Sequence, residues 1–222
     1  GRLLAEYPDI LMQTHLAENQ SECAHVAALF PAARDYLDVY DGHGLMGDRS
    51  VFAHGIHLDD DAIRRLAQAR SAVAFCPTSN LFLGSGLMRY DAMRKAGVPL
   101  CLGTDIGAGT SLSLLDTMAE AYKVAHLGGA VIGAFEAFYH ATLGGARALH
   151  IDQAVGSLQP GREADFLVLD YAATPMMAQR MARAHSLEER LFILMMLGDD
   201  RAVRHVYLSG NPAQRLYGRA AS

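Results

Sequence analysis

Four residues stand where a metal-assisted hydrolysis would need them. His15, His54 and Asp105 each close a short apolar run, and Glu18 follows His15 by one turn's spacing. In parallel βα architectures the C-terminal ends of the strands open onto a shared cleft, so groups at that position in successive units converge. Two imidazoles and two carboxylates on one rim suit a divalent metal and the movement of protons for a metal-activated water. Each residue also has a purely structural reading. A strand-end histidine can be a satisfied packing residue, Thr104-Asp105 ahead of Gly107 and Gly109 reads as an Asx turn, and Glu18 before Asn19 suits a helix N-terminus. Taken singly, each structural reading stands; the recurrence of all four at equivalent positions weighs against four separate accidents, and spacing alone leaves the two readings even.

The elements that must hold these residues are four βα units. The apolar runs cover 10–15, 51–54, 72–76 and 99–105, with little polar alternation, as expected for a parallel sheet covered on both faces. Helices are expected at 21–30 with Ser21 as N-cap, from Asp59-Asp-Asp61 to about 70, through 87–95 with Gly97 as stop, and at 113–127 with Gly128 as stop. Past Gly133 the texture changes. An Ala-rich helix at 135–149 is followed by strand-like runs at 164–169 and 203–208, with a Met-rich helical insert at 175–197 between them. The turn-rich Gly156-Ser-Leu-Gln-Pro-Gly161 places a boundary near residue 150, dividing 1–150 from a β-rich 151–222.

Composition narrows the function classes. The 222 residues are 51% hydrophobic and 19% charged, enough for a globular core. The longest apolar run, Leu191 to Leu197, is too short to span a bilayer, which takes roughly 18 residues. Cys23, Cys76 and Cys101 are too few for a disulfide framework and no signal peptide opens the chain, so a cytoplasmic protein is expected. With 24 acids, 19 bases and a formal charge of -5, and no basic cluster, nucleic acid is not an expected partner.

The local sequences add a family likeness. Thr14-His-Leu-Ala-Glu-Asn19, Phe52-Ala-His-Gly-Ile-His57, Cys76-Pro-Thr-Ser-Asn-Leu-Phe-Leu-Gly-Ser-Gly86 and Leu102-Gly-Thr-Asp-Ile-Gly-Ala-Gly109 resemble the metal-dependent amidohydrolase superfamily, and within it the guanine deaminases. Tyr36-Leu-Asp-Val-Tyr40, Glu120-Ala-Tyr-Lys123, Ala141-Thr-Leu-Gly-Gly-Ala146, Gly161-Arg-Glu-Ala-Asp-Phe166 and Leu197-Gly-Asp-Asp-Arg201 extend the likeness over nearly the whole chain. The resemblance implies an α/β fold: strands five to eight of a TIM-like (β/α)8 barrel, with a C-terminal piece of a small β-rich domain. It implies one Zn2+ per subunit, iron being the alternative, held by His15 and Asp105. Glu18 would shuttle protons and His54 would contact the reacting water or the substrate, so that His15, Glu18, His54 and Asp105 together surround guanine. The implied reaction is hydrolysis of guanine to xanthine and ammonia by a homodimer. Another amino-heterocycle hydrolase, or an inactive fragment, is the alternative reading.

The family pattern is met only in part. Its first barrel strand supplies a His-x-His pair, and no such tripeptide precedes Ile10. The expectation is therefore a C-terminal portion whose N-terminal half is a separate or missing piece. Among the remaining residues, Asn80, Leu83 and Gly84-Ser-Gly86 are expected in a pocket floor or subunit contact. Cys76 is expected to be buried packing, and His57 is a weaker functional candidate.

Overall fold

Strand β2 (Ser50–His54) has all five residues buried, as a central strand of a sheet covered on both faces requires. It lies between β1 (Met12–Leu16) and β3 (Ala72–Phe75), and β4 (Leu100–Leu102) completes a sheet ordered β1-β2-β3-β4 with every pairing parallel. The computed structural model describes residues 1–213, so 214–222 of the expected β-rich segment lie outside the described residues. Register aligns the strand ends: Leu16 pairs with His54, Ala53 with Ala74 and Phe75 with Leu102. The residues just after those ends therefore fall in one row across the sheet.

Before and between the strands run α1 (Arg2–Glu6), α2 (Gln20–Leu29), α3 (Tyr36–Gly42), α4 (Asp60–Ala69), α5 (Pro77–Phe82) and α6 (Tyr90–Ala96), with α7 (Leu114–Leu127) after β4. Asp59 caps α4 through Ala62 N, and the helix buries Ala62, Ile63 and Leu66 against the sheet. Gly97 ends α6 in the left-handed conformation, as its position suggests. The start of α2 differs from expectation. Asn19, not Ser21, is the N-cap, because its side chain accepts from Glu22 N while the Glu22 carboxylate reaches back to the Asn19 N–H. Helices α3 and α5 fall where the apolar runs gave no signal for them.

The single helix expected at 135–149 is two, α8 (Ala134–Ala141) and α9 (Leu143–Ala148), broken at Thr142. The break brings Gly144 against the sheet, where a Cβ would stand 3.2 Å from the Leu100 carbonyl oxygen. Only a glycine lets α9 approach β4 so closely. Next come β5 (Phe166–Leu169), α10 (Pro175–Met181), α11 (Leu187–Leu197), β6 (Val203–Leu208) and β7 (Asn211–Pro212), the three strands forming an antiparallel sheet. The Met-rich insert is helical, as expected. Met177, Leu194 and Met195 are fully buried in the same core as Leu16, Phe52, Phe75 and Met118. The core is thus continuous across residue 150. Among the described residues no helix is long and apolar enough to cross a membrane.

Candidate functional site

Three strand ends deliver the cluster. His15 lies near the end of β1 with Glu18 just beyond it, His54 ends β2, and Asp105 follows β4. The backbone is turned sharply at each place: Ala17, His54 and Asp105 have φ of 47°, 73° and 49°. Non-glycine residues rarely adopt this left-handed region, and such residues gather at sites where side-chain aim matters. At His54 the turn continues through Gly55, φ 60°, and the chain is tied back to β1 by Gly55 N donating to Leu16 O at 2.8 Å and His57 N donating to Ala17 O at 3.0 Å.

The resulting geometry centres on His54, which is completely buried. Its Nδ1 lies 2.8 Å from Asn80 Oδ1. Its Nε2 has no hydrogen-bond partner among the described residues and faces two carboxylates, Glu18 Oε2 at 3.7 Å and Asp105 Oδ2 at 3.9 Å. His15 Nδ1 is also 3.7 Å from Glu18 Oε2, and the two imidazoles meet edge to face with ring centres 4.7 Å apart. His15, Glu18 and His54 each offer a ligand atom within 4.8 Å of the others. These spacings are too long for hydrogen bonds and short enough for a shared cation, and the set of nitrogen and carboxylate donors is one zinc accepts. A buried ring nitrogen left without a partner fits the same reading. Asp105 stands outside the triplet and reaches it through His54.

Supporting contacts fix each group. Ser85 Oγ donates to Glu18 Oε1 at 3.1 Å, and His57 Nε2 bonds Ser85 O at 2.9 Å. His57 is therefore a structural tie here and not a member of the cluster. Tyr40 donates to the His15 carbonyl oxygen at 2.9 Å and Tyr36 donates to Glu22 at 2.8 Å; burial and that carboxylate push the Tyr36 hydroxyl above its ordinary range. Burial, helped by the negative charge of Asp105, pushes the Cys76 thiol up to about 12, so it is protonated packing and no nucleophile. Sequence reasoning placed Asn80 and Ser85 near the pocket without giving them a role. Their partners are distant in sequence, and nothing local to either residue announces the pairing.

Comparison with known proteins decides the family. The amidohydrolase family model matches residues 2–213. The chain belongs to the amidohydrolase family. Among amidohydrolases and related proteins, Escherichia coli (strain K12) guanine deaminase is 48% identical over 209 residues, covering 94% of this chain and 48% of that protein. The solved structure of the E. coli enzyme superposes with a TM-score of 0.92, covering 95% of this chain and 49% of the other. A guanine deaminase from C. acetobutylicum, solved with guanine bound in its active site, gives 0.83 at 33% identity, covering 95% and 50%. An adenosine deaminase from Xanthomonas campestris, solved with bound zinc, gives 0.83 at 29% identity, covering 95% and 47%. This amidohydrolase chain thus spans about half the length of the relatives it matches.

Proposed function

We propose that this chain carries strands five to eight of the (β/α)8 barrel of a zinc-dependent guanine deaminase, within 1–150, followed by a segment of a small β-rich domain within 151–222. The observation that carries the reading is Nε2 of buried His54, without a hydrogen-bond partner among the described residues and facing carboxylates from two other strand ends, in a chain 48% identical to a guanine deaminase. The half-length match and the open four-stranded parallel sheet support a barrel completed by a second half, which would bring the His-x-His pair. The assembled enzyme is proposed to be a cytoplasmic homodimer.

In this reading His15 and Asp105 hold the metal, which when bound makes a water nucleophilic at neutral pH. Asp105 would accept a proton from a water that attacks C2 of guanine. Glu18, entering protonated, would give its proton through Oε2 to N3; as a carboxylate it would then take the proton of the hydroxyl on C2 and pass it to the exocyclic amine, so that the C2–N bond breaks with ammonia as leaving group and xanthine as product, and the proton held by Asp105 would return to Glu18. His54 steadies the charge that develops on the attacking oxygen and the purine. Burial of Glu18 and His54 keeps bulk water away from these transfers.

The test is ammonia release from a panel of guanine, adenosine, cytosine and a chlorotriazine by the assembled, zinc-loaded enzyme. Guanine is expected to be preferred by orders of magnitude. Preference for another heterocycle would move the chain to a different amidohydrolase branch. A 23.9 kDa chain that binds stoichiometric zinc and deaminates guanine unaided would remove the need for the second half.

A further inference from the structure

The loop after β3 supplies no imidazole or carboxylate to the cluster, yet it packs against it in an order opposite to hydropathy. Phe82, Leu83 and Leu87 are 67%, 54% and 40% exposed, while Ser85 in their midst is only 7% exposed. Burying a hydroxyl is unfavourable unless it finds a hydrogen-bond partner. The backbone is shaped for this inversion. Gly84 and Gly86 flank Ser85 with φ of 68° and 127°, and a Cβ on Gly86 would stand 3.0 Å from Ile56 Cγ2, so the turn and its approach to the segment after β2 need glycine. Ser85 N donates to Asn80 O at 2.9 Å, and His57 Nε2 bonds Ser85 O at 2.9 Å. The main chain is thus fixed on both sides of the serine side chain.

The partner that the hydroxyl finds is Glu18, itself buried. Ser85 Oγ lies 3.1 Å from Glu18 Oε1, the one hydrogen bond that this carboxylate makes among the described residues. His15 and His54 stand 3.7 Å from Oε2, beyond hydrogen-bond reach. The near end of Glu18 is tied through its backbone N–H, which donates to Glu22 Oε2 at 2.9 Å. A glutamate side chain keeps much rotamer freedom when only its backbone is held, so the far end needs a hold of its own. We infer that Ser85 is a positioning residue that aims Glu18: it pins Oε1 and thereby turns Oε2 toward the space beside His15 and His54. The hold is the same whichever of the two groups carries the hydrogen, so it depends on place and not on the charge of the glutamate. Losing it misplaces the oxygen that would move protons on the purine, which lowers turnover more than substrate binding. That use of the aim rests on the deaminase reading; the hold itself does not.

The experiment joins a double-mutant cycle on the assembled, zinc-loaded enzyme to crystal structures of that enzyme and its Ser85→Ala variant. Ser85→Ala is expected to lower kcat for guanine by about 10- to 100-fold, the scale of a misplaced reacting group, with KM little changed. In a Glu18→Gln background the same substitution is expected to cost little more, because its effect runs through that carboxylate. The structures are expected to show Oε1 on Ser85 in the wild type and Glu18 in another rotamer in Ser85→Ala. An equal loss of kcat in both backgrounds overturns the inference, and so does an unmoved Glu18 in folded Ser85→Ala. A wild-type structure with Ser85 Oγ more than about 3.5 Å from both Glu18 oxygens overturns it even if no variant folds. Absence of guanine turnover in the wild-type enzyme would instead defeat the deaminase reading and leave the two structures to decide the hold.

Discussion

Glu18 has its two oxygens in different surroundings: Oε1 accepts from Ser85, while Oε2 faces both imidazoles at 3.7 Å. A proton carrier needs this asymmetry, since one oxygen must be held while the other exchanges. Glu18→Gln keeps the shape and removes the exchangeable proton site. It is expected to lower kcat for guanine by about 10²- to 10⁴-fold, the range for loss of a general acid–base group, with KM little changed in steady-state ammonia release. The cysteines give a prediction that needs no activity. Burial pushes the Cys76 and Cys101 thiols up to about 12 and about 11, so both stay protonated near neutrality. Alkylation at about pH 8 should modify neither until denaturant is added, as read by mass spectrometry. His15, Glu18, His54 and Asp105 were legible in the sequence because strand-end position is a local property. Asn80 and Ser85 were not, because their bonds join residues 26 and 67 positions apart, and only the folded sheet brings those together.

Elements are pinned to the sheet by buried polar contacts as well as by apolar packing. His140 on α8 bonds Leu100 O on β4 at 2.9 Å through Nδ1 and the Tyr90 hydroxyl on α6 at 2.9 Å through Nε2, and Tyr90 donates to Glu136 at 2.8 Å. Burial holds the His140 imidazole below its ordinary pKa. As pH falls through about 6.5, the unfolded chain therefore takes up a proton that the native chain resists, so stability is kept above that pH and lost below it. Thermal melts should fall more between about pH 7 and about pH 5 for the wild type than for His140→Gln. Arg65 of α4 is largely buried and is paired with Asp35, Asp38 and Asp61. Arg65→Ala leaves these partly exposed carboxylates without their shared cation and is expected to lower the midpoint of urea unfolding, the loss shrinking with added salt. The broken helix at Thr142 and the short α5 escaped prediction for a common reason. Both are set by contacts between distant segments, Gly144 against β4 and α5 against α7, which hydrophobic periodicity along one segment does not encode.

At the scale of the whole molecule, a parallel sheet that ends at β1 on one side and β4 on the other delivers its working groups in one row, and β1 leaves Gln13 and His15 exposed. An open strand edge invites pairing, and a barrel removes it by closure. Four βα units and a β-rich tail were readable from run lengths and turn residues. That the Met-rich helices would share the core of the sheet was not, because their apolar residues fit any buried face. The central claim is that His15 and Asp105 hold a metal that this site uses to deaminate guanine. Its most direct test is zinc content and ammonia release measured together on the assembled enzyme and on its His15→Ala and Asp105→Ala variants. One zinc per subunit with rapid conversion of guanine to xanthine, and loss of both in each variant, is the predicted result. A variant that loses its zinc yet deaminates guanine at the wild-type rate would contradict it.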